Sequence, residues 1–138
     1  MASRHAYKNT QSTPLTRVEM LLALYDGALQ KLSEVRTALA KQDRLAAEAA
    51  LLRAQRIVLE LYAGLNKDGS ELTRNLAELY LFVLDRLTQS PTPDIDSAEQ
   101  ILTKLRASWQ QIAPVAQEME QRGEIPPVTD THAFEASA

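Results

Sequence analysis

The sequence contains no cysteine, which excludes disulfides, thiolate nucleophiles and cysteine-ligated metals together and suits a reducing cytoplasm. Histidine is nearly absent too: only His5 and His132 occur, near opposite ends of the 138 residues. Imidazole acid–base chemistry and metal ligation therefore have little to work with. Phosphate-cradling loops and nucleophile elbows are missing. A di-metal helical bundle needs a Glu-x-x-His pair on each of two helices, and no predicted helix here holds a histidine. An enzyme is not expected, and neither is a cofactor or a metal. Excess positive charge is lacking as well. Fifteen Lys and Arg against 18 Asp and Glu give a net charge of −3, which disfavours a nucleic-acid binder that works by counterion release. No apolar run approaches the roughly 20 residues of a membrane span. Met1 to Asn9 is polar and charged, unlike a signal peptide. The expectation is a cytoplasmic protein with no membrane insertion.

What the sequence does have is helical periodicity, and 45% hydrophobic residues suffice for the core of one domain. Four glycines and six prolines punctuate the chain and do not permeate it. Thr16-Arg17-Val18-Glu19 reads as a capping box that starts helix one. From there Val18, Leu21, Leu22, Tyr25, Leu29, Leu32, Val35 and Leu39 recur at steps of three and four. Asp43 is placed to cap helix two, over residues 44–65, whose stripe runs from Ala47 through Ala54 and Val58 to Tyr62 and Leu65. Ser70 is placed to cap helix three, with Leu72, Leu76, Leu79, Tyr80, Val83 and Leu87 as its stripe. Helix four is expected from Asp96, where Asp96-Ser97-Ala98-Glu99 resembles another box, with Leu102, Leu105, Trp109 and Ile112 on its stripe. Pro114 inside that helix costs about 3 kcal/mol against alanine, so a kink near Ala113 is expected, with a frayed last turn as the alternative. The fold class is all-α: an antiparallel four-helix bundle over residues 16–122, preceded by a flexible arm (1–15) and followed by a disordered tail (123–138).

Hydrophobicity is in surplus. Leu45, Leu52 and Leu59 lie seven apart, nearly opposite the main stripe of helix two. Leu81 and Leu84 fall off the stripe of helix three on one side and Phe82 on the other, while Met20 and Leu24 broaden helix one toward Gly27. Such width can mean only that a helix contacts two neighbours. A contiguous apolar face instead marks a protein partner or an occupied groove. Gly27 fits either close approach of another backbone or an accident on a solvated face, Asp26 fits solvent or a neighbouring loop, and Trp109 fits core packing.

Four stretches in order resemble one family. Leu24-Tyr25-Asp26-Gly27-Ala28-Leu29 resembles the Leu-Tyr-Asp-Gly-Ala signature of the FliS flagellar export chaperones. Ala54 to Leu61 is similar to the Ala-x-x-Ile-x-x-x-Leu stretch of that family's second helix, and Asn75-Leu76-Ala77-Glu78-Leu79-Tyr80 to the Asn-Leu-x-x-Leu-Tyr motif of its third. Leu105 to Trp109 is similar to its late tryptophan segment, so the likeness covers about Tyr7 to Met119. Ala6-Tyr7 resembles the family's N-terminal tyrosine, although Thr13-Pro14 or Thr16-Arg17 stands where Ala-Ser-Pro is usual. The resemblance implies a small cytoplasmic helical bundle that binds the disordered C-terminal segment of new flagellin. It would prevent premature polymerisation and deliver the subunit to the flagellar type III export apparatus, with the export gate as a further partner. The expected partner-binding residues are Tyr7, Met20, Leu24, Tyr25, Gly27, Leu45, Leu52, Leu59 and Leu81. The protein is expected as a monomer or weak homodimer. The rival reading is a structural or regulatory bundle whose surplus leucines form a homodimer.

Overall fold

The computed structural model describes residues 15–66 and 68–123, and within them every regular element is an α-helix. The helices are α1 (Arg17–Ala40), α2 (Arg44–Ala63), α3 (Glu71–Leu87) and α4 (Ile95–Gln121). Tyr7 and the rest of the predicted arm up to residue 14, like the tail from residue 124 on, lie outside the described residues.

Local chemistry sets most of the helix ends. At α1 both halves of the capping box form: the Thr16 hydroxyl accepts from the Glu19 amide at 3.2 Å, and the Glu19 carboxylate accepts from the Thr16 amide at 3.1 Å. At its other end the Gln42 amide donates to the Leu39 carbonyl and the Asp43 amide to the Ala38 carbonyl, with Gln42 in the left-handed region at φ 58°. This pair of bonds is a Schellman closure, whose left-handed position usually holds glycine. Asp43 then changes role and caps α2, accepting from the Ala46 amide at 3.1 Å. Ser70 caps α3 through the Thr73 amide.

Helix α4 departs from expectation at its start. It begins at Ile95, capped by Asp94, whose carboxylate accepts from the Ser97 amide at 3.1 Å. That bond holds the Asp94 carboxyl below its ordinary range. Asp96, the cap expected from sequence, is already inside the helix and pairs with Arg36 at 2.6 Å. Farther along, the helix runs through Pro114 to Gln121, so the frayed last turn is not seen. Gln110 and Pro114 are both exposed, while Ala113 is buried. The carbonyl that loses its donor to proline therefore belongs to a solvated residue, where water can supply the missing bond.

Each helix packs on two neighbours, α1 on α2 and α4, and α3 on the same two. Glu120 of α4 meets the start of α1, and Glu99 of α4 meets Arg36 near the end of α1, so these two helices run antiparallel. The core holds Tyr25, Leu32 and Val35 from α1, Val58 and Leu61 from α2, Tyr80, Val83 and Leu87 from α3, and Leu102 from α4. Helix α2 contributes three alanines to its buried face, Ala47, Ala50 and Ala54. Short side chains let α1 come close. Gly27 faces α2, and a methyl group built on it would stand 3.4 Å from Ile57 Cδ1, an ordinary contact distance.

Candidate protein-binding surface

One end of the bundle is not filled. The first turns of α1, the last turns of α2 and α4, and the first half of α3 enclose a cavity of about 470 Å³. Leu61, Leu76, Tyr80 and Trp109 line it, together with the exposed Leu72, Ile112 and Val115. The sequence pattern assigns Leu72 and Ile112 to the core stripes, and the structure corrects that. Leu39 and Tyr62 are likewise more exposed than their stripes imply. At the cavity the cause is a length mismatch. Helix α3 has 17 residues against 27 for α4, and at 1.5 Å per residue α4 is about 15 Å longer. Its last turns pass beyond α3 and keep their apolar side chains without a helix on that flank.

Behind the wall formed by Tyr80 and Trp109, buried polar atoms are tied to one another. Trp109 Nε1–H donates to the Tyr25 hydroxyl at 3.2 Å, and the Tyr25 and Tyr80 hydroxyls lie 2.5 Å apart. The two tyrosine rings are tilted, with centroids 6.5 Å apart. Burial pushes both hydroxyls above the ordinary tyrosine range, so both stay protonated at neutral pH. Three donors thus share two hydroxyl oxygens. One hydroxyl proton has no acceptor among the described residues.

The seam between α1 and α4 is closed by charge. The Arg17 amide donates to both oxygens of Glu120, at 2.8 and 3.1 Å. Arg106 bonds to Asp26, and Arg36 reaches Asp96 and Glu99. Asp26 is therefore engaged by α4 and not by a loop. Its carboxylate raises the Arg106 guanidinium above its ordinary value, first through the hydrogen bond and then through charge. Desolvation at the cavity rim lowers the Arg17 guanidinium, and the Glu120 charge opposes that shift.

The residues singled out from sequence fall into two sets. Leu45, Leu52, Leu59 and Leu81 are on the surface, 79%, 47%, 50% and 49% exposed. Gln55 of α2 bonds to the Leu87 carbonyl of α3, which sets the relative height of these helices. Leu59 lies one turn beyond Gln55 and Leu81 lies under two turns before Leu87, so the two stand at similar height. Phe82 is also exposed, with the Arg86 guanidinium stacked 5.0 Å from its ring centroid. The other set lies deeper. Met20 is half-buried, Leu24 packs against the core, Tyr25 is fully buried, and Gly27 is turned to α2. Tyr25 therefore offers no surface of its own. Sequence reasoning missed the cavity. Its only signal is the run of apolar residues continuing along α4 past the point where α3 can reach.

The flagellar protein FliS family matches residues 1–116. The chain belongs to the FliS family. The flagellar secretion chaperone FliS of Salmonella typhimurium is 34% identical over 117 residues, covering 80% of this chain and 84% of that protein. Those of Vibrio cholerae and Bacillus subtilis are 27% and 28% identical, over 75% and 77% of this chain and 77% and 82% of theirs. The FliS match takes in the first three helices and the cavity wall as far as Val115 and Ala116. It stops inside α4, so the last turns of that helix and the residues after them lie beyond it. Among the described residues no helix is long and apolar enough to cross a membrane.

Proposed function

We propose that this chain is a cytoplasmic flagellar secretion chaperone that holds the disordered C-terminal segment of flagellin. It prevents premature polymerisation and hands the subunit to the flagellar type III export apparatus, where the export gate is its second partner. Membership of the FliS family supports the reading, and the observation that carries it is the outward row Leu45, Leu52 and Leu59 on α2. A row of exposed leucines with no helix over it among the described residues is a surface for another chain. Ordering a disordered client costs roughly 2–5 kcal/mol or more of interaction energy. Covering the exposed part of each leucine contributes on the order of 1 kcal/mol, so the row alone does little more than offset that cost. Tight binding then needs further apolar surface, which Leu81, Met20 and Leu24 supply. Tyr25 and Gly27 act from inside, by holding α1 against the helices that shape the surface, and Tyr7 contributes from the arm. No cofactor, metal or catalytic step is involved.

The test is a calorimetric titration with a peptide from the C-terminal end of the same organism's flagellin. Saturable one-to-one binding with a negative heat-capacity change is expected. Leu52→Asp with Leu59→Asp is expected to weaken it by about tenfold or more, since each tenfold is about 1.4 kcal/mol, while the helical circular dichroism stays unchanged. A folded double variant that binds as well as the parent overturns the leucine assignment. Absence of binding, with light scattering showing a dimer at all concentrations, favours the homodimeric reading.

A further inference from the structure

We propose that the end cavity is covered by this chain's own segment after Gly123, led by Ile125-Pro126-Pro127-Val128. The inference does not depend on the identity of the client. The first observation behind it is where the chain leaves the bundle. Met119 and Glu120 line the cavity, and Gly123 follows them closely in the left-handed conformation, φ 80°. A left-handed residue just past a helix turns the chain away from the helix axis. At up to about 3.3 Å per residue, Ile125 to Val128 have a span of roughly 7–17 Å from Gly123, enough to return to the cavity mouth.

The second observation is the chemistry of the segment. An extended strand entering an apolar cavity must satisfy its own amides. Pro126 and Pro127 have none, and their fixed φ reduces the entropy lost on ordering. Their carbonyls remain free to accept hydrogen bonds from solvent at the cavity mouth. Ile125 and Val128 on either side, and Phe134 farther on, supply apolar bulk. Residues 1–14 precede the bundle at this same end, ahead of Arg17, but offer only Tyr7 and Met1 as bulky apolar groups among Arg4, His5 and Lys8. The FliS match ends at residue 116, so the segment after Gly123 lies outside the matched region.

Trp109, the only tryptophan, lines the cavity and reports its solvation. The experiment compares tryptophan emission and acrylamide quenching in four chains, each verified as helical. They are the full chain, full-length Ile125→Asp with Val128→Asp, a chain stopped after Gly123, and a chain lacking residues 1–14. A red shift and stronger quenching in the two chains altered after Gly123, reversed by adding a peptide of residues 124–138, is the expected result. If the segment covers the cavity about nine-tenths of the time, a fluorescent apolar probe such as anilinonaphthalene sulfonate binds those two chains about tenfold more tightly than the parent. Unchanged emission and probe binding in both overturn the proposal. So does a red shift produced only by removing residues 1–14, which gives the cavity to the N-terminal arm, or one produced only by dilution, which gives it to a second copy. Flagellin binding is measured on the same chains, and its absence leaves the tryptophan result standing on its own.

Discussion

The two flanks of α4 solve the same packing problem differently. Toward α1 the helix is fastened along its length by Glu120 on the Arg17 amide, Arg106 on Asp26, and the pairing of Asp96 and Glu99 with Arg36. Toward α3 it outruns its partner and leaves Ile112 and Val115 exposed beside a cavity. Charged contacts need no close-packed surface, so the first flank is shut whatever else binds. The second keeps apolar area in reserve. A bundle can therefore be well ordered and still present an unfinished core.

The contrast can be broken most severely from the interior. Leu102 is fully buried in the helix that both flanks share. Leu102→Ala should cost about 2–5 kcal/mol of stability, whereas Leu52→Ala on the exposed row should stay within about 0.5 kcal/mol. Urea denaturation of both variants measures the difference. Next in size is the charged flank at its end: Glu120→Ala leaves the first amide of α1 without its carboxylate and should cost about 1 kcal/mol, in the range of a lost helix cap. The same denaturation series checks it, with Trp109 emission reporting whether the cavity end loosens.

A smaller gain is expected at Gln42. Left-handed backbone costs a non-glycine residue roughly 1–2 kcal/mol, and glycine returns part of that as extra freedom in the unfolded chain. Gln42→Gly should therefore raise the melting temperature slightly without touching either flank. The smallest effect belongs to Asp26→Asn. The pair with Arg106 is at the surface, so the variant should unfold almost as the parent does, and what difference remains should fade in high salt. A large loss at Asp26 would mean that the charged flank holds the bundle together far more than its exposure allows.

Elements specified by neighbouring residues are legible in the sequence. The Thr16 box, the Asp43 cap and the Ser70 cap each need only a side chain and an amide three residues on, and all three form as read. The start of α4 is harder because Asp94 and Asp96 both have cap-compatible sequences after them. Distant contacts make the choice: the Asp94 amide bonds to the Arg86 carbonyl of α3, and Asp96 is taken by Arg36 of α1. The outward leucines are visible because their positions oppose a clear stripe. Tyr25 reads as a binding residue only through the motif around it. The cavity stays hidden because periodicity says which side of a helix is apolar, and not whether a neighbour is long enough to cover it.

The bond between Arg17 and Glu120 also decides where the molecule can be handled. It holds the first and last described turns side by side, so a fluorophore, affinity handle or fused domain attached ahead of Leu15 or behind Gly123 would stand at the cavity mouth. The tight reversal at Lys41–Asp43 lies at the far end of α1. A label carried there watches the apolar end from a full helix length away without blocking it.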